Sequence, residues 1–112
     1  MVKNASVCVK QMTEVYLKIR TSGKETVVSI CDKDILGKKF KEGRLKIHVT
    51  ESFYKGDLVP VEEAVKSLET ATIANLVGEN TISHAIKEGY VNKDSVIYIQ
   101  GVPHVQIVKI LF

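Results

Sequence analysis

The cations of this chain are gathered in one stretch. Lys33, Lys38, Lys39, Lys41, Arg44 and Lys46 are opposed locally only by Asp32, Asp34 and Glu42. Charges at this density repel one another unless they are solvated or matched by phosphate. Two readings follow: a solvated lysine-rich loop, or a surface that faces a polyanion. Downstream, Phe53 and Tyr54 precede Lys55 in a loop closed by Gly56. Aromatics beside lysines stack on unpaired bases, at about 1–3 kcal/mol per base. The plainer expectation is that Phe53 fills a gap between sheet and helix while Tyr54 stays half exposed. Gly37-Lys38-Lys39 is not a nucleotide loop. A P-loop needs glycine where Asp32 stands and Ser or Thr where Lys39 stands.

A second set of reactive side chains is dispersed: Cys31, Asn75, His104 and Gln106. Cys31 as a nucleophile requires a base, for which His104 is the candidate. Against this, Asp32 and Asp34 disfavour a thiolate, and buried strand cysteines are inert. Asn75 sits among Ile73, Ala74, Leu76 and Val77. A buried amide needs partners, so Asn75 is expected to bond loop backbone and fix a connection, with a substrate contact as the alternative. Two residues apart on a strand, His104 and Gln106 share a face and form a small polar site. Cys8 and Cys31 form no Cys-x-x-Cys, and His48, His84 and His104 form no i, i+4 pair, so local spacing encodes no metal site. No catalytic residue and no cofactor is assigned, and the reading favours a non-catalytic protein.

The elements that position these residues follow from periodicity. The chain has 112 residues, 45% of them hydrophobic, and a mean hydropathy of +0.04. This is one domain, able to bury a core without disulfides or metal. Its longest charge-free stretch, Ser95 to Val108, is interrupted by Gly101, Pro103, His104 and two glutamines, which excludes a membrane span. The N-terminal apolar run is too short for a signal peptide, so the expected location is cytoplasmic and a Cys8–Cys31 disulfide is not expected.

Charge divides the chain. Residues 1–56 hold 12 basic and 6 acidic side chains, residues 57–112 hold 4 and 7.

Thr13 to Arg20 alternates, with Val15, Leu17 and Ile19 facing one way and Tyr16, Lys18 and Arg20 the other. This predicts a half-buried strand, paired through the Ser22-Gly23-Lys24-Glu25 turn with Thr26 to Cys31. Asp32 is expected to cap a single turn from Lys33 to Leu36, ended by Gly37. Arg44 to Thr50 alternates again as a third strand. From Pro60 the period becomes helical, with Val61, Ala64, Val65 and Leu68 as the apolar stripe. Ala71 to Val77 is expected to continue or bend that helix, and Gly78 to stop it. Asn80 then caps a second helix through Ile82, Ala85 and Ile86. Val96 to Ile99 and Val105 to Leu111 close the chain as strands. The expected fold is α+β: a mostly antiparallel sheet with two helices packed on one face, in the order β-β-β-α-α-β-β, over residues 13–112. Residues 1–12 are expected to be an extension or an edge strand through Val7 and Val9.

Four stretches carry a family resemblance: Cys31-Asp32-Lys33-Asp34-Ile35-Leu36-Gly37-Lys38, Phe53-Tyr54-Lys55-Gly56, Ala74-Asn75-Leu76-Val77-Gly78-Glu79 and Gly101-Val102-Pro103-His104-Val105-Gln106. From about Glu14 onward the chain resembles an archaeal family of small proteins, the domain of unknown function numbered 424. The resemblance implies an archaeal cytoplasm and a shared fold, and it is compatible with a thermophilic owner. The family has no established activity and so lends no catalytic residues. An information-processing role is an association at the level of the fold.

The leading expectation is a small non-catalytic RNA- or ribonucleoprotein-binding domain. In it the segment 32–46 grips phosphates, Tyr16, Lys18, Arg20 and His48 extend the contact, and Tyr54 with Lys55 stacks. Five phosphate contacts on a single strand give a slope of log affinity against log salt of about −3.5. The alternative is a small enzyme or ligand-binding protein whose pocket gathers Asn75, His104, Gln106 and Cys31. A third is a protein adaptor, marked by an exposed apolar patch. Oligomeric state is not encoded, although the apolar end Val105 to Phe112 suits a strand that completes a partner's sheet.

Overall fold

The computed structural model describes residues 13–109. The alternation of the first strand is realised as β1 (Glu14–Ser22), which a two-residue turn joins antiparallel to β2 (Glu25–Asp32). Beyond β2 the chain departs from the expected order. A 3-10 turn (Lys33–Ile35) leads into β3 (Lys39–Glu42) and β4 (Leu45–His48), which pair only with each other. One helical turn, α1 (Glu51–Tyr54), follows, then β5 (Asp57–Pro60), α2 (Val61–Lys66) with a 3-10 extension (Ser67–Glu69), and β6 (Ile73–Val77). α3 (Glu79–Lys87), a 3-10 turn (Lys93–Ser95), β7 (Ile97–Ile99) and β8 (Val102–Val108) complete the description. The fold is α+β with three helices, and its main sheet is mixed but mostly antiparallel. Residues 1–12, with the edge strand expected there, and the expected strand end at Leu111 lie outside the described residues.

The main sheet runs β5-β1-β2-β6-β8-β7, and β2 and β6 are its parallel pair. The largest correction therefore concerns residues 73–77, expected to be helical and found as a central strand. A strand buried on both faces reads as an unbroken apolar run, which periodicity alone does not separate from a helix. Leu76 and Val77 face opposite ways and both are fully buried. Parallel pairing demands a long crossover, which everything between Asp32 and Ile73 supplies. Two further strands, β3 and β5, were hidden by their lysines and by Asp57 and Pro60.

Each face of the sheet has its own core. On the first, Val15, Val28, Ile30, Ala74, Leu76 and Val105 pack against Val61, Ala64, Val65 and Leu68 from α2 and its extension, and against Ile82 and Ala85 of α3. The apolar stripe expected after Pro60 is thus the buried one. On the second, Cys31 and Val77 meet Val49 and Tyr54, with half-buried Tyr16, Ile35, Leu36, Phe40, Ile47, Phe53 and Val102 around them.

Asp32 ties the sheet to α3. Its carboxylate does not cap the 3-10 turn that follows it. Instead Oδ2 accepts from the Asn80 amide at 2.9 Å, and Oδ1 accepts from the Thr81 amide and hydroxyl at 2.8 Å each. A carboxylate from β2 thereby satisfies the orphan N–H groups at the start of α3 and meets the positive end of its dipole. Asn80 is a recipient of this cap, not its source. Gly78, at φ +115°, lies against the same carboxylate, and a Cβ there would collide with it. This glycine starts α3; it does not stop α2. No helix among the described residues is long and apolar enough to cross a membrane.

Candidate nucleic-acid interface

The basic segment folds into a ribbon. β3 and β4 pair in the register Lys39↔His48, Phe40↔Ile47, Lys41↔Lys46 and Glu42↔Leu45. Directly opposed residues share a face, as do residues two apart. Lys39, Lys41, Lys46 and His48 therefore occupy one face, all exposed, while Phe40, Ile47, Glu42 and Leu45 occupy the other. Gly43, at φ +62°, opens the two-residue loop Gly43-Arg44, which suits a primed hairpin turn. Arg44 sits at the tip. A cavity of about 440 Å³ on the ribbon is lined by Lys39, Phe40, Lys41, Lys46, Ile47 and His48.

The underside holds the ribbon in place. Phe40 and Ile47 join the second core. Gln100, in the turn between β7 and β8, clasps the ribbon from both ends of its own residue. Its side-chain oxygen accepts from the Lys41 amide at 2.9 Å, and its amide donates to Glu42 Oε1 at 2.7 Å. Glu42, an acid of the basic segment, is thus turned to the underside and engaged there. Sequence reasoning missed Gln100. Its signal is the two-residue turn Gln100-Gly101, where Gln100 is the only non-glycine at positive φ among the described residues, at 51°.

The remaining expected contacts are placed apart from the ribbon. Lys33 is exposed in its 3-10 turn, and Lys38 is exposed while its carbonyl accepts from Val49. Lys18 and Arg20 lie on the second face of β1 and converge on one acceptor: Lys18 Nζ donates to the Ser52 carbonyl at 2.6 Å and Arg20 at 3.1 Å. Arg20 also stands over the Phe53 ring, 5.0 Å from its centroid. Both cations thus hold α1 against the sheet. Tyr16 is half-buried in the second core. The expected exposures of Phe53 and Tyr54 are reversed. Tyr54 is 4% exposed, and burial, with Cys31 nearby, pushes its hydroxyl pKa up. α1 directs Tyr54 inward onto Cys31 and Val77, so in this conformation it presents no ring to a base. Lys55, after α1, is exposed.

A model of the family described as protein of unknown function (DUF424) matches residues 19–110. The chain belongs to that family. This DUF424 member is similar in structure to an uncharacterized conserved protein from Methanopyrus kandleri, whose crystal structure it matches with a TM-score of 0.72 at 29% identity, over 88% of this chain and 96% of that one. No curated protein matches the chain. The family match spans the basic ribbon, its Gln100 clasp and the Asp32 cap.

The second set of residues shares a sheet face in this DUF424 chain. Asn75 pairs with Ser29 on one side and Gln106 on the other, and Val77 separates Cys31 from His104. Cys31 is fully buried. Burial pushes its thiol up to about 12, and Asp32 and Asp34 add to the effect. A thiol so placed is a packing residue and not a nucleophile. Asn75 is half-buried in the open part of the face, and among the described residues its side chain makes no loop-backbone hydrogen bond. His104 is half-buried, and burial lowers its pKa. The four residues share a floor on the second face.

Proposed function

We propose that this chain is a non-catalytic RNA-binding module that grips the sugar-phosphate backbone through the outer face of the β3–β4 ribbon. The observation that carries the reading is the pairing of Lys41 with Lys46, flanked by Lys39 and His48. Like charges placed directly opposite one another on a ladder destabilise it, and a bound phosphate removes that repulsion. Glu42, turned to the underside, leaves this face without an acid. The contact is electrostatic and independent of sequence, since no exposed aromatic stands on the ribbon. With three lysines on the face, the expected contact number falls from five to three. The lysines at residues 33 and 38 and the tip arginine at residue 44 lie at its margins and contribute less; Lys18 and Arg20 act by holding α1.

The test is fluorescence anisotropy with a labelled single-stranded RNA at low salt, comparing the unaltered chain with Lys39→Gln/Lys41→Gln/Lys46→Gln. At about 0.7 log units per contact for each tenfold change in salt, the triple variant binds at least tenfold more weakly. Equal binding by the two proteins would sink the proposal.

A further inference from the structure

Among the described residues the main sheet has two free edges, and they are not alike. An unpaired edge strand is a template for another strand, and proteins blunt it with charge or proline. β5 carries Asp57 and Pro60. β7, Ile97-Tyr98-Ile99, carries neither. Ile97 is 47% exposed and Tyr98 55%, and Leu45 of the neighbouring ribbon is 45% exposed. The sheet thus ends in an uncharged, apolar rim.

The backbone of that rim is aimed outward. β7 and β8 are joined by Gln100 and Gly101, both at positive φ, a primed two-residue turn that closes on a hydrogen-bonded pair between Ile99 and Val102. The next pair, Tyr98 opposite Pro103, is then of the kind without hydrogen bonds between its members. Two facts agree with this. Pro103 has no N–H to donate, and its carbonyl accepts from the Gly78 amide at 2.9 Å on the β6 side. The Tyr98 N–H and C=O therefore both point away from β8, as the donor and acceptor an antiparallel strand requires.

The segment also reads the same in both directions about Tyr98. A second β7 laid antiparallel sets Tyr98 against Tyr98, with two hydrogen bonds exchanged, and Ile97 against Ile99 on both sides. Such a contact is isologous and closes on itself. We propose that two copies of this chain associate edge to edge through β7, centred on Tyr98. The twofold axis of an antiparallel ladder stands perpendicular to the sheet, so both β3–β4 ribbons come to the same side of the joined sheet. This consequence for RNA rests on the function proposed above; the dimer itself does not.

One strand and a few side chains make a small contact, below about 1,200 Å², so the association is weak and reversible. Sedimentation velocity on the full chain without RNA, from about 1 µM to about 1 mM, is expected to show a monomer that becomes a dimer as concentration rises. Ile97→Lys puts charge on the rim and stays monomeric. Tyr98→Pro removes an N–H that bonds no other described residue of the monomer and also stays monomeric, with an unchanged circular dichroism spectrum. Should that variant misfold, Ile97→Lys decides alone. In the unaltered chain the Tyr98 amide exchanges more slowly with deuterium as concentration rises. A monomer at every concentration, or dimers that persist in the folded variants, would overturn the proposal.

Discussion

The two faces of the sheet are built by different means. The first is closed by α2 and α3 over a continuous apolar cluster running from Val15 to Val105. The second is closed by α1 and the β3–β4 ribbon over four buried residues, Cys31, Val49, Tyr54 and Val77. Polar ties supplement that smaller core: Gln100 to the ribbon, and Lys18 with Arg20 to Ser52. The charges they show to solvent also differ. A groove of about 340 Å³ between α2 and α3 is lined by three acids, Glu62, Glu69 and Glu88, with Lys66 and His84, whereas the ribbon shows Lys39, Lys41 and Lys46. The larger core is expected to carry most of the stability, and the ribbon to open at a lower cost than global unfolding.

The strongest way to break this contrast is to attack the first core. Leu76→Ala removes a fully buried side chain and is expected to cost about 2–5 kcal/mol, lowering the melting temperature of the whole domain. Asp32→Ala comes next. It strips three hydrogen bonds from the start of α3 and is expected to cost about 2 kcal/mol, read by urea denaturation. A cost below about 0.5 kcal/mol would mean that water replaces the carboxylate as cap. Gln100→Ala separates the faces more sharply. Global stability changes by about 1 kcal/mol or less, while the amides of residues 39–48 lose protection in hydrogen exchange and those of β2 and β6 keep theirs. Equal loss in both would show that the ribbon and the sheet open together.

The mildest effect concerns pH. Burial lowers the His104 pKa below its ordinary value of 6.5, so on acidification the unfolded chain takes up a proton before the folded one does. Stability is therefore unaffected by this group well above pH 6.5 and declines as pH falls through and below that value. His104→Gln should flatten the melting temperature between pH 7 and pH 5, and an unchanged slope would assign the titration elsewhere.

The two faces also differ in how far they could be read in the sequence. Val61, Ala64, Val65 and Leu68 announce their helix by spacing, β1 and much of β4 announce themselves by alternation, and β2, β7 and much of β8 by β-branched composition. The central β6 could not be read in this way, because Ile73 to Val77 is apolar on both sides and only the partner strands reveal its direction. On the second face, the basic segment was visible as composition but not as a surface. Its meaning depends on register, which puts Glu42 on the face opposite Lys41 and Lys46, and on Gln100, which lies 58 residues from Glu42. Tyr54 was misplaced for a related reason: one helical turn is too short for periodicity to set its buried side. Asp32 was identified as a cap but given to the wrong helix, since the helix beside it in sequence is not the one beside it in space.

The central claim is that three ribbon lysines meet phosphate, and the salt dependence of RNA affinity tests it most directly. For a labelled single-stranded RNA bound at concentrations where the chain is monomeric, log affinity against log salt should fall with a slope of about −2, from roughly −0.7 per contact. The slope should approach zero in the Lys39→Gln/Lys41→Gln/Lys46→Gln variant. A slope near zero in the unaltered chain, or the same slope in both proteins, would contradict the account.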